Sequence, residues 1–121
     1  MKSKAINEVT LEFPSRSSNE GFARSAVACF AAQMDPTLNE LEDIKTAVSE
    51  AVTNAIVHAY PDSIGKVLVK ARVCPGNMLE ITVKDYGKGI AIARSETIVL
   101  YVGRVLALFE QKKRRTKKKK A

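Results

Sequence analysis

"KVLVKARVCPGNMLEITVKD", residues 66–85, holds two alternating runs on either side of a proline–glycine break. Val67, Val69, Ala71 and Val73 fall on one face of the first run, and Leu79, Ile81 and Val83 on the matching face of the second. Period-two alternation around a turn-forming "CPGN" predicts a β-hairpin. An apolar hairpin face needs cover, and the flanking sequence supplies it.

Upstream, "EVTLEF" alternates Val9, Leu11 and Phe13 with polar neighbours and predicts a further half-buried strand. The period then changes. Phe22, Ala23, Val27, Phe30, Ala31 and Met34 recur at three and four, which predicts a helix over about 18–34, with Ser17 and Glu20 placed for a capping box. After "DPT", Thr37 and Glu40 make a second possible capping box, opening a helix with the stripe Leu41, Ile44, Val48, Ala51, Val52 and Ala55. Pro61, Asp62, Ser63 and Gly65 mark a loop before the hairpin. Strand, helix, helix, strand, strand predicts a small α/β sandwich with helices on one face of a mixed, largely antiparallel sheet. For "AIARSETIVLYVGRVLALFEQ", residues 91–111, periodicity leaves two readings open: a helix broken near Gly103, or a strand at "TIVLYV" followed by a helix.

A chain of 121 residues with 45% apolar content suits one core. Its net charge of +7 is a property of one segment, because "KKRRTKKKK", residues 112–120, holds eight of the twenty basic residues and the remainder carries a formal −1. Such a run repels itself and buries nothing, so a solvated, unstructured tail is expected. It lacks the interleaved aromatic residues on which bases stack, so no direct nucleic-acid partner is expected. Cys29 and Cys74 are far apart in sequence and form no CxxC pair, which predicts two buried thiols in a reducing compartment. The N-terminus has no apolar signal core, and the longest apolar stretch is interrupted at Gly103 and Arg104. A cytoplasmic protein with no membrane association is expected.

Two stretches carry chemistry. In "SEAVTNAIVHAY", residues 49–60, Glu50, Asn54 and His58 stand four apart and share one helix face, while Val48, Val52 and Ile56 point elsewhere. In "VKDYGKGI", residues 83–90, Asp85 closes a predicted strand, and Gly87 and Gly89 permit backbone conformations and close approach that a side chain would block. A carboxylate at the lip of a sheet can accept a hydrogen bond from an exocyclic amine such as that of adenine.

The conjunction of an ExxxN helix face, a hairpin and a strand ending in DxGxG resembles the nucleotide site of the GHKL superfamily. Within it, "LEFPSRSSNEGFARSAVACFAAQMDPT", "IKTAVSEAVTNAIVHAY" and "ITVKDYGKGI" are most similar to the sporulation anti-sigma factors that inhibit sigma factor F, over residues 9 to about 90. The resemblance implies an ATP- and Mg²⁺-dependent protein serine kinase with the Bergerat-type ATPase fold. It implies Glu50 as general base, Asn54 as a Mg²⁺ ligand through its amide oxygen, Asp85 as reader of adenine, and Gly87 and Gly89 as the turn that wraps the nucleotide. It implies Arg24, in "GFARSAV", as a contact for the sigma factor and for a competing anti-anti-sigma protein, whose serine is the phosphoryl acceptor. A homodimer is the implied inhibitory state. His58 and Tyr60 also match, with Ala59 where the family usually has glycine, and these are read as structural.

Past Ile90 the resemblance ends. The ATP lid and the second glycine-rich motif of the family have no counterpart, and only Gly103 follows Gly89. The expected organisation is therefore an ATP-binding part over 1–90, a divergent apolar segment over 91–110 and a basic tail over 111–121, with the C-terminal part of the fold incomplete. A divergent end or a changed reading frame past about codon 90 would each produce this pattern. The alternative function is a catalytically inactive partner-binding module, or a truncated product with an incomplete ATP site.

Overall fold

The computed structural model describes residues 4–87 and 94–102, and the backbone of 119–120. Strand β1 (Asn7–Pro14) leads into helix α1 (Ser18–Ala31), which ends in a 3₁₀ turn at Ala32–Met34. Helix α2 (Leu38–Asn54) continues into a π-wound turn, Ala55–Ala59. Strands β2 (Lys66–Cys74), β3 (Met78–Asp85) and β4 (Arg94–Tyr101) follow, and Lys119–Lys120 form a short β5. The described strands make one five-stranded sheet in the order β1-β2-β3-β4-β5, and every pairing is antiparallel.

The hairpin forms as its pattern requires. Val73 pairs with Leu79, Ala71 with Ile81 and Val69 with Val83, and all six side chains are buried. Gly76 and Asn77 at the turn both have positive φ, a region open to glycine and tolerated by asparagine. Helix α1 packs against β1 and β2, while α2 crosses β3 and β4. Between these layers Val27, Ile44, Val48 and Val52 meet Val67, Val69, Leu79 and Ile81 in one core. The opposite face is polar, where Arg72 lies between Glu8 at 3.3 Å and Glu80 at 2.6 Å.

Of the two readings left open for the last third, the strand forms. β4 sets Ile98 opposite Ile81 and Leu100 opposite Leu79, burying both in the common core. Thr82 and Thr97 hydroxyls lie 3.2 Å apart across the same pair of strands on the outer face. The helix considered after Gly103 falls outside the described residues.

Four expectations are corrected. The Ser17–Glu20 capping box does not form, because the Glu20 carboxylate is taken by Arg24 and Ser49. Phe22 is exposed, since Ala23, Val27 and Ala31 already supply the buried stripe of α1. Cys29 is also exposed, on the outer side of that helix, whereas Cys74 is buried. Finally, the expected unstructured tail pairs at Lys119 and Lys120 with Thr97 and Glu96. An edge strand offers unpaired N–H and C=O groups to any passing segment. The rest of the tail lies outside the described residues.

The second capping box is present: the Thr37 hydroxyl accepts from Glu40 N–H at 3.1 Å, and Glu40 accepts from Thr37 N–H at 2.8 Å. Thr37→Ala removes one half of this exchange and is expected to cost about 1 kcal/mol. Urea denaturation with an unchanged m-value would register it; an unaltered midpoint would show that the box contributes nothing.

Candidate functional site

Helix α2 presents two faces because its apolar residues recur at helical spacing. Ile44, Val48, Ala51 and Val52 are buried against the sheet, so Glu50 and Asn54 are left exposed on the other side. His58 is exposed too, one turn further on, in the π-wound segment. π-turns are uncommon and recur at functional sites. An amide oxygen on an exposed face suits a hard cation, and the Asn54 side chain offers one, with the Glu50 carboxylate one turn away.

Asp85 is placed differently. It is the last residue of β3, 8% exposed, and the one buried charged side chain among the described residues. Removal from water pushes its carboxyl above the usual aspartate value, opposed by the positive charge of Arg94 and by a hydrogen bond from Gly87 N–H. The bond from the amide two residues on is the pattern of an Asx-turn, which explains why aspartate ends this strand. Arg94 faces Asp85 because the two are register partners across β3 and β4. A carboxylate accepts up to about four hydrogen bonds, so one N–H leaves capacity for a ligand amine.

Gly87 has φ +61°, where any other residue is strained, and a Cβ there would meet nothing within 4 Å. Conformation therefore requires this glycine. Gly89 lies outside the described residues.

Tyr60, directly after the π-wound segment, ties the end of that segment to the adjoining ends of β2 and β3. Its hydroxyl donates to Lys66 C=O at 2.8 Å and accepts from Tyr86 N–H at 2.8 Å. Its ring is buried against Gly65, where an added Cβ would lie 2.0 Å from the ring. The Tyr86 ring in turn lies 5.0 Å from Lys66 Nζ and 5.9 Å from Lys84 Nζ, cation–π distances that pin the outer side of the turn.

Arg24 does not join this group. It projects from α1 and bonds Glu20 at 2.9 Å and the Ser49 hydroxyl at 3.2 Å, while that hydroxyl donates to Glu20. The cluster ties α1 to α2 immediately before Glu50. Arg24 is still 40% exposed, and an exposed i,i+4 ion pair is worth at most about 1 kcal/mol, so a partner carboxylate can compete for the guanidinium.

Sequence reasoning missed Arg94 and the Glu20–Ser49 contact. Both depend on register and helix packing, for which no local pattern exists. Gly65 was legible only as a loop residue, although the Tyr60 ring is what requires it.

Residues 13–97 match the family described as a histidine kinase-like ATPase domain. The match runs into β4, beyond the point where the resemblance read from the sequence ended. The anti-sigma F factor of Thermoanaerobacter sp. (strain X514) is 57% identical over 84 residues, 69% of this chain and 58% of that protein. Its counterpart in Heyndrickxia coagulans is 56% identical over 86 residues, 70% of this chain and 58% of that protein. That of Clostridium perfringens (strain 13 / Type A) is 55% identical over 85 residues, covering 69% and 60%. The chain thus spans less than two thirds of the length of these relatives.

Proposed function

The chain belongs to the histidine kinase-like ATPase domain family, and from that premise we propose that it binds ATP with Mg²⁺ and carries the kinase chemistry of an anti-sigma F factor. The observation that carries this reading is the buried Asp85 carboxylate, which accepts from Gly87 N–H at the turn that ends β3. A charge is not kept in such a position for stability, since burial disfavours it. It suits a base-reading acceptor.

In this reading Asp85 accepts from the adenine amine, and Gly87 and Gly89 let the chain follow the nucleotide. Asn54 holds Mg²⁺ through its amide oxygen; the ion, when bound, neutralises phosphate charge. Glu50 takes the proton from a serine hydroxyl of an anti-anti-sigma protein as that oxygen bonds to the γ-phosphorus and the bond to ADP breaks. Arg24 exchanges its Glu20 and Ser49 partners for acidic groups of the sigma factor or of the serine-bearing protein. The working form is a homodimer in the cytoplasm. The division into an ATP-binding part over 1–90, a divergent segment over 91–110 that contributes strand β4, and a basic tail over 111–121 belongs to the same proposal.

Calorimetric titration with ATP tests the reading. In Mg²⁺, Asn54→Ala is expected to bind about tenfold more weakly, the worth of one charged contact. In excess chelator the two proteins should bind alike. No heat from the unaltered, folded chain would refute nucleotide binding.

A further inference from the structure

The antiparallel register of β2 and β3 pairs Val67 with Asp85, so the next rung would set Lys66 opposite Tyr86. At that rung Tyr86 N–H donates to the Tyr60 hydroxyl, which donates onward to Lys66 C=O. A side-chain hydroxyl is therefore inserted between the two backbone groups that a continuing ladder would join directly. β3 ends there, and the chain turns through Gly87 at φ +61°.

We propose that Tyr60 is a positioning residue for base recognition: its hydroxyl holds β2 and β3 apart at this rung and so fixes where the Asp85 turn leaves the sheet. This rests on the reading of Asp85 as the acceptor for the adenine amine. The phenol is placed rigidly enough to act in this way. Its ring is 7% exposed, and Gly65 leaves it no slack, since a Cβ there would lie 2.0 Å from the ring. Both hydrogen-bonding functions of the hydroxyl are used, one on each strand. Without it, Tyr86 N–H loses its acceptor and Lys66 C=O its donor, and the two can close on each other. Closing that rung would extend β3 past Asp85 and displace the carboxylate that the turn presents. Tyr60 touches neither the base nor the phosphates; it acts through Tyr86 and Asp85.

The test uses the full chain and Tyr60→Phe, which keeps the ring against Gly65 and removes only the hydroxyl. Calorimetry compares ATP, inosine triphosphate, in which a carbonyl replaces the amine, and inorganic tripolyphosphate. Tyr60→Phe is expected to bind ATP about tenfold more weakly while its affinities for the other two stay within about twofold. Amide exchange is read in parallel. It should change at Tyr86 and Gly87 and stay slow at Ile81, which reports an intact sheet. An unchanged preference for ATP over inosine triphosphate in Tyr60→Phe overturns the proposal, whatever the exchange at Tyr86 does. An equal loss for all three ligands also overturns it, because a general loosening of the fold would do that. Failure of the underlying reading is visible separately, in the unaltered chain: it would bind the two nucleoside triphosphates alike.

Discussion

Glu50→Ala is expected to slow phosphoryl transfer to the serine-bearing partner by roughly 10²–10⁴-fold, the contribution of one positioned general base, and to leave ATP affinity unchanged. The separation of the two effects follows from where the side chain sits. Glu50 is exposed on α2, outside the buried stripe of that helix, and is not among the residues of the core. Alanine is a better helix former than glutamate, so the substitution does not weaken α2. Loss of activity would then not be a loss of fold. Single-turnover transfer from labelled ATP, with nucleotide binding measured on the same sample, gives both numbers. Equal losses of binding and transfer would make Glu50 a ligand-holding residue. Transfer at the original rate would remove it from the mechanism.

The layers of this protein were legible because burial is periodic. Alternation in 66–85 and three-four spacing in 38–55 are imposed by a core on one side, and Val67, Val69, Ala71, Val73, Leu79, Ile81 and Val83, the apolar face of the hairpin, are all buried. Glu50 and Asn54 were legible as candidates through the same periodicity, which left one helix face polar, whereas Asp85 falls on the buried parity of β3 and was singled out as its last residue before Gly87 and Gly89. Contacts that depend on two elements meeting were not. Glu20 satisfies a capping-box pattern, yet an arginine and a hydroxyl in tertiary contact outcompete a backbone N–H for its carboxylate. Tyr60 matched a family motif without disclosing a role, because its two partners lie six and twenty-six residues away along the chain. "TIVLYV" defeated periodicity for a different reason. Both a buried strand and a buried helix read as a short apolar run, and the pairing with β3 makes the choice.

Asp85→Asn is expected to weaken ATP binding by about a hundredfold and, at neutral pH, to make the unliganded protein more stable. The first effect comes from a conflict of donors. The aspartate offers two oxygens, one able to serve Gly87 N–H and the other the adenine amine; asparagine offers a single oxygen and an NH₂ that faces one of those donors. A charged hydrogen bond is lost and a donor is left opposed, which together are worth about 3 kcal/mol. The second effect follows from linkage. Burial raises the Asp85 carboxyl above its ordinary value of 3.8, so the folded state holds this proton more tightly than the unfolded state. Stability is therefore highest, as far as this group is concerned, below the ordinary aspartate value, and is lost as pH rises through the raised folded value. Asparagine carries no such charge and removes that slope. Denaturant titrations across the acid range should show the unaltered chain losing stability relative to Asp85→Asn as pH increases, with the difference constant once Asp85 is fully ionised. Parallel curves would mean that Arg94 and Gly87 N–H fully offset the burial, and the argument that this carboxylate is retained for a ligand would lose its energetic basis.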